Sequence, residues 1–253
     1  KILLTVGFPD PEEPPYALFK AFKNLNLFIL GYRISPEQTH PEQSEKEFDE
    51  DTQEKFKNYL DNLSFSSIDT ESQLEYTANY PDLLEKYLDE EEVHALLIPK
   101  PMKELNRILV PIYRADQVNL RLSTILRELS DYSGTAISLF FVVQEESEDS
   151  ISELKTKAFK SLLQAGIDKS DIKSNSIEVE NVEEAILQIS EKDDLIVMSE
   201  SQDDEREKWF SSIHERVRKN IESSLLLILQ EESRRPDQTE QEAAEEVVSD
   251  GEG

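Results

Sequence analysis

The stretch LIVMSESQDDEREKWFSSIHERV, residues 195–217, decides which fold the sequence predicts. An apolar strand from Leu195 to Met198 is followed by a polar loop and then by a helix that begins at Ser211 and Ser212. This order is typical of the last phosphate-binding crossover in α/β domains that bind nucleotides. The loop, however, contains no glycine and is rich in carboxylates, so its function has to be examined separately from its fold.

The segments around this stretch alternate between strand and helix patterns. Apolar runs predict strands at 107–112, 135–143, 194–199 and 224–229, and the more polar segment 172–180 is predicted to be an edge-like strand. Apolar residues three and four positions apart predict helices at 120–134, 150–166, 181–192 and 210–223. Because such strands are apolar on both faces, we expect a parallel sheet with helices packed on each side.

The first part of the chain repeats this order and then stops early. Its predicted strands are KILLTV (1–6), LNLFILGYR (25–33), SIDTESQLEYT (67–77) and VHALLIPKP (93–101), with helices between them. A fourth helix and a fifth strand are missing before the next strand begins at Arg107. We therefore predict two doubly wound α/β domains, residues 1–101 and 107–230, joined by a linker at 102–106. Residues 231–253 are polar without a core-forming period and are predicted to be a disordered acidic tail.

The composition excludes several classes of function. The formal net charge of −28 opposes binding to nucleic acid or to anionic membrane surfaces. No apolar run is long enough for a membrane helix, so we expect no direct membrane insertion. The absence of cysteine fits a reducing cytoplasm. Because acidic residues are spread over both halves, we interpret the surface as adapted to high salt, where ions screen the self-repulsion.

The second half resembles the universal stress protein family over residues 107–229. The similarity lies in RILVPI, LIVM, SSIHERV and SLLLIL, and residues 1–101 resemble a shorter, diverged copy, most clearly at ALLIPKP. The resemblance implies a five-stranded parallel sheet of order 3-2-1-4-5 in the second half. One branch of that family binds ATP and another does not, so the resemblance leaves nucleotide binding open. Members commonly pair through the fifth strand, and the resemblance implies the same for this chain.

The residues expected at the nucleotide site depart from the ATP-binding pattern. In that branch an Asp-Gly-Ser-like turn follows the first strand, whereas here Tyr113 and Arg114 follow Ile112. A Gly-x-x-Gly loop follows the fourth strand there, but Ser199 follows Met198 here. Such glycines let backbone N–H groups approach phosphate oxygens closely. A helix-initial pair is retained at the position of the family's last Gly-Ser or Gly-Thr pair, as Ser211 and Ser212.

The charge of the loop argues further against a nucleotide. Four carboxylates lie where a triphosphate would bind, with two basic residues to oppose them: Asp203, Asp204, Glu205, Glu207, and Arg206 and Lys208. Each close exposed pair of like charges costs roughly 1 kcal/mol. We therefore predict a degenerate nucleotide cleft that holds neither ATP nor another cofactor. Its residues are Ile112, Tyr113, Arg114, Met198, Ser199, Ser211 and Ser212.

Other reactive patterns are absent from the sequence. The three histidines, His40, His94 and His214, share no metal-ligand spacing, and the chain has no nucleophile elbow and no Walker loop. Neither catalytic nor metal residues are predicted. Trp209 and Phe210 have three interpretations: core packing, an aromatic plug in the vacated cleft, or an exposed anchor for a partner.

These observations favour a cytoplasmic, non-enzymatic regulatory module that acts through protein contacts. Two alternatives remain open. One is the cytosolic C-terminal regulatory domain of an amino-acid permease or a cation-chloride cotransporter, which stress-protein-like pairs of this kind also resemble. Membrane helices encoded upstream of Lys1 would favour it. The other is an ATP-binding stress protein with slow hydrolysis, which would retain nucleotide on purification.

The last predicted strand suggests self-association. Residues Leu225, Leu226, Leu227, Ile228 and Leu229 form an apolar run with only the polar tail after it. As a fifth strand at the edge of a sheet, this run would invite pairing with another chain. Because the first half has no fifth strand to offer, we predict a two-fold homodimer joined through residues 225–229.

Overall fold

A computed structural model describes residues 1–12, 16–22, 25–35, 41–64, 70–90, 93–130, 135–144, 151–192, 194–199, 217 and 220–229. Nine strands lie in one sheet: β1 Ile2–Phe8, β2 Leu27–Ile34, β3 Thr70–Thr77, β4 Ala95–Ile98, β5 Arg107–Ile112, β6 Ala136–Gln144, β7 Ile172–Val179, β8 Asp194–Ser199 and β9 Ser224–Ile228. The six described α-helices are α1 Tyr16–Ala21, α2 Pro41–Ser64, α3 Tyr80–Glu90, α4 Leu120–Ser130, α5 Ile151–Gln164 and α6 Val182–Ile189.

The strand order confirms the predicted α/β fold. The sheet runs β3-β2-β1-β4-β9-β8-β5-β6-β7, and neighbouring strands are parallel except for β4 and β9. Within the second half this is order 3-2-1-4-5, as expected. Residues 93–130 are all described, and no helix or strand lies between Ile98 and Arg107, so the first half does proceed from its fourth strand directly to the next one.

Helices cover both faces of the sheet because its inner strands are apolar on both sides, whereas the edge strands β3 and β7 are largely polar. Helices α1, α2, α4 and α5 pack on one face, where Leu18 and Leu122 belong to a single buried cluster that spans both halves of the sequence. Helices α3 and α6 pack on the other face, with Leu84 and Ile186 in a second cluster. Among the described helices, none is both long and apolar enough to cross a membrane.

Strand β9 lies in the interior of the sheet. It pairs in parallel with β8 and antiparallel with β4, so that Leu226 lies between Val197 and Leu97. Every residue of β9 is buried. The prediction that residues 225–229 form a free edge for a homodimer is therefore wrong.

The physical reason is that β4 has an open edge of its own. Strand β4 pairs with β1 on one side only, and that leaves its other edge available to β9. A partner strand does not have to be the equivalent strand of a repeat, nor to run in the same direction. The apolar run of β9 reflects burial at the centre of a shared sheet, with one strand completing both halves.

Several predicted features lie outside the described residues. These are the acidic loop 203–207, Trp209 and Phe210, most of the helix predicted at 210–223, His40 and His214, and the tail after Leu229. Ser211 and Ser212 also lie outside the described residues.

Candidate functional site

The predicted nucleotide cleft lies where the order of the second-half strands reverses. Strands β5 and β8 are parallel neighbours paired from Arg107 and Asp194 onward, and they end at Ile112 and Ser199 on the same side of the sheet. Ligands of open α/β sheets bind in the crevice outside such ends. The structure thus brings together five of the seven predicted residues: Ile112, Tyr113, Arg114, Met198 and Ser199.

A buried glutamine bridges the two strand ends. The side-chain oxygen of Gln117 accepts hydrogen bonds from the backbone N–H groups of Tyr113 and Arg114, at 3.0 and 3.1 Å. Its side-chain nitrogen donates to the backbone carbonyl of Ser199 at 3.1 Å. Only 1% of the Gln117 surface is exposed. The N–H groups that follow β5, which would face a ligand at this crevice, are therefore already bonded.

A second amide strengthens the bridge. Asn119 caps α4 by accepting a hydrogen bond from the Leu122 N–H at 2.8 Å, and its side-chain nitrogen donates to the Ser199 hydroxyl at 3.1 Å. Ser199 is itself buried. Both oxygen atoms of Ser199 are thus engaged by the segment between β5 and α4, which ties the described ends of the two strands together.

Sequence reasoning missed Gln117 and Asn119. Asn119 had a usable signal, because asparagine directly before an apolar-periodic helix is a favoured N-cap residue. Gln117 had none, since a glutamine in a polar loop matches no motif. Arg114 lies close to a carboxylate of its own turn, with Nε 3.6 Å from an Asp116 oxygen.

The first half has an equivalent crevice between β1 and β4. Here the structure contains a cavity of about 290 Å³. Its walls come from the end of β1 with the segment that follows it, from the end of β2, from α2, from the start of α3 and from the end of β4: Thr5, Val6, Gly7, Asp10, Glu12, Tyr32, Tyr59, Tyr80, Ile98, Pro99 and Lys100. In the second half, side-chain amides bridge the described ends of β5 and β8.

Aromatic rings shape the cavity. Tyr32 and Tyr80 lie with their ring centroids 4.4 Å apart and tilted by 30°. The Tyr80 hydroxyl is 3.0 Å from the Thr5 hydroxyl of β1, which fixes the ring over the strand. Gly7 permits the close approach of Tyr32, since a Cβ at this position would lie 3.1 Å from the phenolic oxygen.

Tyr59 contributes a third ring from the α2 side. The ring packs edge-on against Phe8, with centroids 6.3 Å apart. Burial raises the pKa of Tyr59 well above its ordinary value, and the nearby Tyr16 and Glu12 raise it further. The phenol therefore stays neutral at physiological pH and can act as a hydrogen-bond donor.

No metal centre is found in the part of the chain that the structure describes, since no three His, Asp or Glu side chains are grouped there. His94 lies just before β4, where its backbone accepts from the Leu229 N–H at 2.9 Å and donates to the Lys1 carbonyl at 2.8 Å. Its backbone therefore holds β1 and β9 beside β4.

Comparisons with known proteins show similarity at the level of structure. No family model matches the sequence, and no curated protein matches it significantly. A universal stress protein from Archaeoglobus fulgidus DSM 4304 superposes with a TM-score of 0.56 at 12% identity, over 93% of this chain and 97% of that one. A putative universal stress protein from Pseudomonas aeruginosa UCBPP-PA14 superposes with a TM-score of 0.52 at 10% identity, over 90% and 92%.

A third solved structure, a protein of unknown function from Pseudomonas aeruginosa PAO1, covers 98% of this chain and 97% of its own at a TM-score of 0.54 and 10% identity. The agreement extends over both halves and not over the second alone. The chain has the fold of universal stress proteins along nearly its whole length.

Proposed function

We propose that the protein is a non-enzymatic regulatory module with a universal-stress-protein fold, which acts through contacts with a protein partner and does not bind ATP in its second half. The observation that carries this proposal is the bridge formed by Gln117. Its amide uses the backbone N–H groups of Tyr113 and Arg114 and the carbonyl of Ser199, which border the crevice.

Opening the crevice would cost free energy. A ligand that used the backbone N–H groups of Tyr113 and Arg114 would have to displace the Gln117 amide, which now bonds these groups and the Ser199 carbonyl. Each buried donor or acceptor left without a hydrogen-bond partner costs about 1–3 kcal/mol. A nucleotide would have to recover this from its own contacts, in a protein whose net charge of −28 repels polyanions.

Calorimetry with Mg-ATP tests the nucleotide part of the proposal. We expect no heat of binding at millimolar nucleotide and physiological salt, and no phosphate release on prolonged incubation. A dissociation constant of about 100 μM or tighter would contradict the proposal. The variant Gln117→Ala is the matched comparison, since it frees the N–H groups of Tyr113 and Arg114 without adding a charge.

The partner is sought by a separate experiment. Proteins that co-purify with the tagged chain from native lysate are identified and compared with those recovered by a tagged, unrelated acidic protein. A partner that the acidic control also captures binds through charge alone. Failure to recover any partner specific to this chain would oppose the regulatory role even if ATP does not bind.

A further inference from the structure

We propose that the first-half cavity, bordered by Tyr32, Tyr59 and Tyr80 and by the carboxylates of Asp10 and Glu12, binds a small quaternary ammonium compound. This inference goes beyond the regulatory function proposed above and does not depend on it. It concerns the cavity at the crevice between β1 and β4.

The position and size of the cavity suit a small ligand. It lies outside the carboxyl ends of β1 and β4, where the strand order of the first half reverses. Crevices at such positions are the usual binding places of open α/β sheets. A volume of about 290 Å³ lies at the lower end of the range for small-molecule sites.

The aromatic walls favour a cation. Three tyrosines from three different elements meet at the cavity: Tyr32 at the end of β2, Tyr59 on α2 and Tyr80 at the start of α3. The face of a phenol ring carries negative charge density and attracts cations, and aromatic cages of this kind recognise quaternary ammonium groups. The Thr5 hydroxyl bonds the Tyr80 hydroxyl, and the lack of a side chain at Gly7 leaves room for the Tyr32 ring.

The charged residues that line the cavity also favour a cation. Among the described lining residues, the carboxylates of Asp10 and Glu12 outnumber the single ammonium group of Lys100. Both carboxylates are exposed toward solvent and can move toward a bound cation. An anion would meet an excess of negative charge here, within a chain that is strongly acidic overall.

The hydrogen-bonding state of the walls favours a quaternary ammonium over a primary one. A primary ammonium is strongly hydrated and needs acceptors for three N–H groups. The hydroxyls of Tyr80 and Thr5 already bond each other, so the acceptors left for a primary ammonium are chiefly the exposed carboxylates of Asp10 and Glu12. A quaternary ammonium has no N–H groups to satisfy and gains its binding energy from aromatic rings and diffuse charge, and this cavity is lined by three phenols and two carboxylates.

The backbone of Lys100, the basic residue that lines the cavity, is hydrogen-bonded to the second half of the chain. The Lys100 N–H donates to the Ser224 hydroxyl at 2.9 Å, and this hydroxyl is 3.3 Å from the Lys100 carbonyl oxygen. Ser224 is the fully buried first residue of β9. The rim of the cavity is thus attached to the strand that joins the two halves.

Calorimetric titration of the full chain with choline chloride tests the proposal. The control ligand is 3,3-dimethyl-1-butanol, which has the same shape but carbon in place of the charged nitrogen. We expect saturable binding of choline with a dissociation constant of about 10 mM or tighter, and at least tenfold weaker binding of the neutral analogue. No saturable binding of choline, or equal binding of the two ligands, would overturn the proposal.

Substitutions at the cavity give a second readout. Tyr32→Leu should weaken choline binding about tenfold, whereas Tyr32→Phe and Tyr80→Phe keep the rings and should retain it. Asp10→Asn and Glu12→Gln should each weaken binding about two- to fivefold, and Lys100→Met should strengthen it by a similar factor. The remote exposed Asp168→Asn controls for loss of one negative charge. Circular dichroism confirms that each variant is folded.

The sign of the Lys100→Met effect is decisive for the charge argument. A merely structural role for the cavity would leave choline binding unchanged or weaken it. Weaker binding by Lys100→Met, or unchanged binding by Tyr32→Leu, would refute the assignment. Sedimentation with phosphatidylcholine vesicles distinguishes the source of the ligand: a free compound leaves the protein in the supernatant, while a lipid head group carries it down with the vesicles.

Discussion

The guanidinium of Arg107 holds the carboxylate of Asp194 through two hydrogen bonds, from Nε at 3.0 Å and from an Nη at 2.6 Å. The two residues are paired across β5 and β8, and Asp194 is 1% exposed. Hydrogen bonding to Asp194 raises the pKa of Arg107, with burial acting in the opposite direction. This pair joins the amino ends of the same two strands whose carboxyl ends are bridged by Gln117.

Removing one partner of this pair should destabilise the fold. Arg107→Met leaves the Asp194 carboxylate buried and without its cation, so we expect the free energy of unfolding to fall by about 3 kcal/mol. Urea unfolding followed by circular dichroism measures it. Lys1 is the basic residue at the start of β1, and its partner Glu71 is exposed. Lys1→Met is therefore the control and should lower the free energy of unfolding by less than about 1 kcal/mol. Equal losses would contradict the assignment.

Adding a methyl group at Gly31 should disturb the packing of α2 on the sheet. A Cβ there would lie 2.7 Å from a ring carbon of Phe56 and 3.1 Å from a methyl carbon of Leu74. We expect Gly31→Ala to cost about 1–3 kcal/mol through overpacking. The double variant with Phe56→Leu should recover part of the loss in a thermal melt. A double variant no better than the sum of the two single ones would show that this contact is not the cause.

Tyr59 should make the protein sensitive to alkaline pH. Burial raises its pKa above the ordinary value of about 10, so above that pH the unfolded chain loses a proton that the folded chain keeps. The free energy of unfolding therefore falls as pH rises beyond 10, and this group contributes about 1.4 kcal/mol per pH unit to the fall. Below pH 10 the ionisation of Tyr59 does not change the free energy of unfolding. Tyr59→Phe should reduce this slope in urea melts at pH 9 to 11. Tyr76→Phe on β3 controls for the loss of one phenol, and an unchanged slope in Tyr59→Phe would oppose the argument.

Salt should stabilise the protein. With a formal net charge of −28, self-repulsion destabilises the folded chain when ions are scarce. We expect the melting temperature to rise by several degrees between about 10 mM and 1 M KCl, since the screening length shrinks from about 30 to 3 Å. Differential scanning calorimetry measures it, with an uncharged osmolyte of equal osmolality as the control. A flat profile would mean that the acidic surface serves solubility alone.

Changing an apolar residue of β9 should unfold the chain and leave its oligomeric state unaltered. Leu227 is 5% exposed and lies between Leu96 of β4 and Met198 of β8. Leu227→Lys buries an unpaired ammonium there, and we expect a loss of about 3 kcal/mol or more. Light scattering and urea unfolding are measured together. A halved molecular mass with unchanged stability would restore the edge-strand dimer that the sheet order excludes.

The sequence predicts the elements well because burial on both faces leaves a clear pattern. Apolar runs such as RILVPI and DLIVMS are typical of strands buried between two helical layers, so the strand positions follow from them, whereas the order 3-2-1-4-5 came from the family resemblance. The pairing of β4 with β9 could not be predicted, because hydrogen bonds between strands are made by the backbone, which is the same for every residue. An apolar run shows that a strand is buried, but not which neighbour buries it.

The candidate sites were predictable only in part. Tyr113, Arg114 and Ser199 could be found because they stand where a known motif has other residues. Gln117 acts through its position beside two strand ends, which no spacing rule reveals. The cavity tyrosines come from β2, α2 and α3, and each is an ordinary aromatic residue in its own segment. Only the folded sheet brings them together.

The place of β9 also determines how the chain can fold as it is made. Lys100 and Ser224, which meet at the β4–β9 junction, are separated by 124 residues in sequence. At a synthesis rate of about 5–20 residues per second, the open edge of β4 waits roughly 6–25 s for its partner to leave the ribosome. During that interval the edge can pair with a wrong strand, its own or another chain's. The length of the second half therefore sets how long the first half is at risk of misfolding.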